Sequence, residues 1–163
     1  MGITACLTNN YGFGHKTEKT VLFQKEAKRG HEPCSSVKWS NNGGIILVAG
    51  FGNGRVSSFA FKHDGMYPVS KLNLGSPVQC LCIIPSGQEL FAGCADGGIR
   101  LISVADGGHF DDHKPRCWGA VNGESSPGVT SLSVVPSEGE RRRYTIASGA
   151  EDGSLALFLI EKL

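Results

Sequence analysis

The sequence predicts an all-β chain built from repeated antiparallel sheets, and three observations carry that prediction. One short pattern occurs three times: a β-branched run, a small residue and glycine, then a turn dipeptide. The copies are Ile45 to Gly50 with Asn53-Gly54, Glu89 to Gly93 with Asp96-Gly97, and Tyr144 to Gly149 with Asp152-Gly153, and in each the dipeptide begins four residues after the small residue. Asn-Gly and Asp-Gly between apolar runs are strong hairpin signals, because a type I′ turn needs φ > 0 at both central positions. The units recur after 44 residues (Cys34 to Val78) and again after 51 (Val78 to Val129). Finally, 23 glycines in 163 residues suit a chain with many turns and few long helical periods.

Taken in order, Met1 to Leu7 is a short apolar strand candidate, 8–19 a polar loop, and Thr20 to Gln24 a second strand. Lys25 to Glu32 is a charged connection that contains Gly30-His31. The first unit has strands at Pro33 to Ser40, Ile45 to Gly50, Arg55 to Phe61 and Val69 to Leu74, with a turn at Asn41 to Gly44 and a loop at Lys62 to Tyr67. The second repeats this order: Pro77 to Ile84, the turn Pro85 to Gln88, Leu90 to Gly93, then Ile99 to Val104. Its long connection, 105–126, contains Trp118, read as the anchor of a fourth strand at Arg116 to Val121. The third unit runs from Pro127 to Val135, through a first turn swollen by Glu138 to Arg143, to Tyr144 to Gly149 and Leu155 to Ile160. That insertion predicts a mobile loop at Ser137 to Arg143. A period near 44 with four strands per unit predicts a β-propeller blade, since one four-stranded sheet cannot bury both its faces and stacked sheets bury each other's.

Bulk properties exclude several classes. A formal net charge of +1 provides no global field toward nucleic acid or acidic membranes. No segment reaches the ~20 apolar residues of a membrane span. The opening Met-Gly-Ile-Thr-Ala-Cys lacks a basic region and a long apolar core, which reads against a signal peptide, and Cys6 stands where a myristoylation signal needs Ser or Thr. The six cysteines form no CxxC pair and no framework spacing, so they read as reduced thiols of a cytoplasmic protein, with the nucleus left open.

Four constellations invite chemistry. Ala49 to Gly54 is glycine-rich after a β-branched run, but a dinucleotide loop needs a helix next, and Arg55 to Phe61 is strand-like. His109, Asp111, Asp112, His113 and Cys117 crowd one loop with helical spacing of potential zinc ligands. Gly107-Gly108 and Pro115 spoil that helix, so the loop reads as solvated and without metal. Cys80 and Cys82 share one face of a strand and read as structural thiols. Arg141-Arg142-Arg143, a basic run in a hairpin loop, reads as solvated. No Ser/His/Asp or Cys/His order suggests nucleophilic catalysis, and no cofactor is read.

The first strands and pre-turn residues resemble the WD-repeat family of β-propellers. Its first-strand pattern (Val-x-Ser-Leu-x-apolar-Ser-Pro) is matched by Val129 to Pro136, closely by Val78 to Pro85 and loosely by Cys34 to Asn41. Its small-Gly pair is Ala49-Gly50, Ala92-Gly93 and Ser148-Gly149. The naming Trp-Asp pair is replaced by Phe59-Ala60, Ile102-Ser103 and Phe158-Leu159, leaving apolar stacking to hold the sheets. The resemblance implies a partial propeller of three four-stranded WD-like blades plus an N-terminal strand remnant, all one domain. Its parts are 1–32, 33–76, 77–126 and an incomplete unit at 127–163, with Thr20 to Gln24 expected to complete the last sheet. Three blades are fewer than the four to eight of closed propellers, so the end sheets should attract a second copy or a completing partner. The implied function is a non-enzymatic protein-interaction scaffold. The candidate surface is Gly30, His31, Phe51, Asn53, Asp96, Trp118 and Asp152, with Arg141, Arg142 and Arg143 toward the other end. The implied partners are other proteins, with nucleic acid not expected. Two other readings remain: an enzyme with its site at the channel mouth, and phosphoinositide or nucleic-acid binding through the arginines.

Overall fold

The computed structural model of the chain describes residues 3–7, 20–25, 33–40, 44–62, 65–111, 115–118, 126–136 and 143–161. The expected loop at 8–19, Gly30 and His31, most of the turn at 41–44, and the insertion with Arg141 and Arg142 lie outside those residues. The fold is all-β. A two-stranded ribbon, β1 (Ile3–Leu7) and β2 (Thr20–Lys25), precedes three antiparallel sheets. Sheet one is β3 (Cys34–Ser40), β4 (Ile46–Phe51), β5 (Arg55–Lys62) and β6 (Gly65–Asn73), in sequence order. Sheet two is β7 (Val78–Ile83), β8 (Glu89–Cys94), β9 (Ile99–Ser103) and β10 (Arg116–Trp118). Sheet three is β11 (Val129–Pro136), β12 (Arg143–Ala150) and β13 (Leu155–Glu161). The three sheets stack one on the next in sequence order, the arrangement of a partial propeller.

Two expectations are corrected. Thr20 to Gln24 does not join sheet three: β2 pairs antiparallel with β1, Ile3 opposite Lys25 and Leu7 opposite Thr20. The fourth strand of sheet one begins at Gly65 rather than Val69, and Met66 and Tyr67, expected in a loop, pair with Phe61 and Ala60. Pro68 hid this strand from the sequence. It sits where the register shifts between Ser58 and Phe59, on the outer strand, where a missing N–H breaks no ladder.

Stacking explains the small-residue-glycine signature. β7 packs on β3 and β4, and β11 packs on β7 and β8. A Cβ on Gly50 would lie 2.6 Å from Val78 Cγ1, and one on Gly93 would lie 2.7 Å from Val129 Cγ1. Each glycine is therefore the seat of the next sheet's leading valine. Two apolar cores result. Ile46, Val48 and Val56 of sheet one meet Val78, Leu81, Leu90 and Ile102 of sheet two. Phe91, Ile99 and Leu101 of sheet two meet Val129, Tyr144 and Ile146 of sheet three. The second strands β4 and β8 are buried along their whole length, which is why both read as continuous apolar runs rather than alternating ones. Glu89, at 1% exposure, is the exception in β8, and its burial had no sequence signal.

Polar side chains pin the same interfaces. The Ser35 hydroxyl donates to the Val78 and Gly50 carbonyls, and Ser36 Oγ accepts the Leu81 N–H at 3.2 Å. At the next interface the Cys80 thiol donates to the Val129 carbonyl at 3.4 Å.

Candidate interaction surfaces

The three hairpin loops are built alike, although not as type I′ turns. In each, the glycine N–H returns to the carbonyl three residues earlier: Gly54 to Phe51 at 3.0 Å, Gly97 to Cys94 at 3.1 Å, Gly153 to Ala150 at 3.0 Å. The Asx residue therefore stands third in the turn and glycine fourth, with φ of 84°, 75° and 84°. This is a three-residue loop ending in a left-handed glycine, the next commonest hairpin connection after the two-residue turn. The Asx side chain then accepts the N–H two residues on: Asn53 from Arg55, Asp96 from Gly98 and Asp152 from Ser154. Asn and Asp favour such sites because their short side chains mimic a backbone turn.

Each loop is also tied to the segment that leads into its own sheet. Gly52 N–H donates to Pro33 O, Ala95 N–H to Pro77 O, and Glu151 N–H to Gly128 O, all within 3.1 Å. Neighbouring loops touch in turn: the Asp96 N–H reaches Ser76 Oγ at 3.2 Å, and Gln79 Nε2 donates to Glu151. The segments 51–54, 75–77, 95–98, 126–128 and 151–153 so form one continuous rim.

The candidate residues divide on this frame. Asn53 and Asp152 are exposed rim tips. Asp96 shares the rim but is engaged: Arg100 grips both its oxygens, one of them at 2.9 Å. That hydrogen-bonded guanidinium, with the Gly98 N–H, holds the Asp96 carboxyl down to about 2 despite partial burial. Asp152 is also held below the usual carboxylate range, by the Ser154 hydroxyl and N–H. Phe51 is corrected: it is 8% exposed, beneath the Arg55 guanidinium at 4.4 Å, and offers no surface. Trp118 does not project either. It pairs with Ile99 on the outer strand of sheet two and packs, half-buried, against the second core. Arg143 opens β12 opposite Glu161, away from the rim.

The His109 loop is not simply solvated. After a short 3-10 turn at Asp106–Gly108, Phe110 bridges back to Val104 and is buried in the first core. The Ser58 hydroxyl donates to Gly108 O, and the Phe110 N–H donates to Ser70 Oγ at 3.2 Å. The loop straps sheet two onto sheet one. His109 and Asp111 remain exposed, while Asp112 and His113 lie outside the described residues. Among the described residues no three His, Cys, Asp or Glu side chains gather as a metal site.

Four of the six cysteines are unsuited to nucleophilic work. Burial pushes the Cys80 and Cys94 thiols up to about 11 and raises Cys34 and Cys82 as well, so all stay protonated near neutrality. Cys94, fully buried beside the second loop, had not been singled out from the sequence. Nor had Gln79 and Glu151, whose pairing across two sheets no local pattern announces.

Comparison with known proteins agrees with this geometry. Residues 66–103 match the WD40 family, described as WD domain, G-beta repeat. The match runs from β6 through β9, so one sequence repeat feeds the outer strand of sheet one and three strands of sheet two. The chain is also 31% identical over 93 residues to the U3 small nucleolar RNA-associated protein 15 homolog of Xenopus laevis. That stretch covers 56% of this chain and 17% of the relative. The likeness to WD-repeat proteins read from the first strands and small-Gly pairs therefore holds. Among the described residues no helix is long and apolar enough to cross a membrane.

Proposed function

We propose that the chain, with a WD repeat at 66–103, is a non-enzymatic scaffold that binds another protein through its rim. The observation that supports this reading is the shared construction of the three loops. Their backbones are tied down by Pro33, Pro77 and Gly128, while Asn53, Glu151 and Asp152 stand exposed at the tips. Rigid loops with exposed side chains already held in place bind at low entropic cost. Shifted titratable groups on the rim are turn-forming carboxylates rather than an acid-base pair, and the thiols of Cys34, Cys80, Cys82 and Cys94 are held protonated. The name of the Xenopus relative, a small nucleolar RNA-associated protein, supports a ribonucleoprotein assembly as the setting and the nucleus ahead of the cytoplasm.

Proximity labelling in cells with the natural chain and an Asn53→Ala/Glu151→Ala/Asp152→Ala variant tests this. The reading expects a defined partner set that the variant loses while it still unfolds cooperatively, the lost hydrogen bonds of Asn53, Glu151 and Asp152 lowering its melting temperature only slightly. An unchanged partner set would contradict it. Loss of the partners on nuclease treatment would favour the nucleic-acid reading instead.

A further inference from the structure

The three loops share a frame but not a charge. The registers Gly50–Val56, Gly93–Ile99 and Gly149–Leu155 place Arg55, Gly98 and Ser154 at one position, and their N–H groups donate to Asn53, Asp96 and Asp152 in turn. In the second loop the carboxylate has its cation, since Arg100 grips both oxygens of Asp96. In the third, Asp152 takes the Ser154 N–H and hydroxyl. The first loop is inverted. Its turn side chain is the neutral amide of Asn53, and the cation Arg55 stands beside it with no carboxylate paired to it among the described residues. The chain from 51 to 76 has a single acid, Asp64, and it follows the far end of β5.

Geometry makes that cation a seat. The guanidinium lies 4.4 Å from the centre of the Phe51 ring, which fixes its place on the rim. Arg55 Nε is closed off from solvent and, among the described residues, has no hydrogen-bond acceptor, so its desolvation goes uncompensated. Asn73 lies directly across from Arg55 on β6. Asn53 and Asn73 each spend the side-chain oxygen on a backbone N–H, of Arg55 and of Gly75. Their amide NH2 groups remain as donors, and both residues are exposed. Lys71, exposed two residues before Asn73 and on the same face of the sheet, adds a second positive charge.

We propose that this end of the rim is an anion seat for an acidic segment of a partner protein, with an Asp or Glu carboxylate of the partner on the Arg55 guanidinium and the Asn53 and Asn73 amides beside it. Arg100 and Asp96 show the pairing that the fold builds one sheet on, a guanidinium at the loop taking a carboxylate through two bonds. A protein carboxylate is favoured over a nucleic-acid backbone. A run of phosphates needs several cations in line, and beyond Arg55 and Lys71 the rim turns to Asp96, Glu151 and Asp152, which repel it. The seat rests on the rim reading of the function, to which it adds the partner's chemistry at one loop.

The probe is the capped peptide acetyl-Gly-Glu-Glu-Gly-amide, titrated at low salt into the full isotope-labelled chain and followed by NMR through the Arg55 Nε–H signal. The same peptide with Gln-Gln in place of Glu-Glu is the control. Saturable shifts centred on Arg55, Asn53 and Asn73 are expected. Arg55→Gln should raise the dissociation constant at least about tenfold, and Arg55→Lys, which keeps the charge but loses the fork, about threefold. Asn53→Asp should abolish the shifts, because its carboxylate occupies Arg55 from within, and Asp96 and Asp152 show that the turn accepts it. Absence of a saturable shift, an equal response to the Gln-Gln peptide, or binding indifferent to Asn53→Asp would overturn the proposal. So would tighter binding of an oligouridylate at the same residues, since the occupant would then be nucleic acid. Proximity labelling separates the seat from the rim reading. Partners lost by Asn53→Ala/Glu151→Ala/Asp152→Ala but kept by Arg55→Gln would leave the rim reading standing and overturn the seat. Peptide binding at Arg55, with a partner set that the triple variant leaves unchanged, would overturn the rim reading and leave the seat.

Discussion

Sheets two and three are drawn on one frame and differ in what covers them. Ile99 and Leu155 hold the same register position, opposite Gly93 and Gly149, yet Ile99 is 2% exposed and Leu155 87%. Leu101 and Leu157 repeat the contrast at 8% and 77%. The side chains are equally apolar, so the difference comes from the neighbour: β11 and β12 lie over sheet two, and no described strand lies over sheet three. Full burial of such a side chain is worth roughly 1.5–3 kcal/mol. Sheet two receives that stabilisation on both faces, sheet three on one.

The largest effect should come from truncating the filled face. Phe91→Ala in sheet two should cost roughly 3–5 kcal/mol in denaturant melts, because the ring is 0% exposed between two sheets and edge-on to Tyr144. Leu157→Ala, at the neighbouring frame position of sheet three, should stay within about 0.5 kcal/mol. Similar losses at both sites would break the comparison.

The glycines sharpen it. Gly93→Ala drives a methyl into Val129 and Cys80, at 2.7 and 2.6 Å, and should cost roughly 1–3 kcal/mol as overpacking. Gly149→Ala meets the Ser131 hydroxyl, which rotates away, and should cost under about 1 kcal/mol. Thermal melts of the two variants compare the seats directly.

The smallest effect belongs to the loops. Asp96 is depressed to about 2 from 3.8 by Arg100, so its contribution is complete above the unfolded value and is lost as pH falls from about 4 toward 2. The carboxylate is 38% exposed, so screening should hold that contribution below about 1 kcal/mol. Asp152 lacks an arginine partner and is fully exposed, so Asp152→Asn should leave the acid limb of the stability curve almost unchanged, whereas Asp96→Asn should flatten it slightly. Equal acid limbs for the two variants would contradict this assignment.

What the sequence disclosed follows the range of the interactions. Strand positions were legible because β-branched runs and Asx-Gly turns act locally, and Trp118 as a strand anchor was read from its place in the long connection. Turn subtype was not: Asp-Gly serves equally as the centre of a two-residue turn or the end of a three-residue one, and only the hydrogen bond from Gly97 to Cys94 decides. Phe51 looked like a loop tip because the glycines around it are loop-like, whereas the cover above it is Arg55. Phe110 sat in a polar loop, and its destination lies on another sheet, 40 residues from Ser70. Nothing local separates Ile99 from Leu155. The candidate rim was legible as a set of loops, but its separation into exposed tips, a gripped aspartate and a buried ring was not.

The central claim is that one face of sheet three stands open where the equivalent face of sheet two is closed. Hydroxyl-radical footprinting of the native chain, read residue by residue by mass spectrometry, tests it most directly. Leu155, Leu157 and Leu159 should oxidise rapidly while Ile99, Leu101 and Phe91 stay protected until the chain unfolds. Protection of the three leucines to the level of Ile99 and Leu101 in the monomeric native chain would contradict the account.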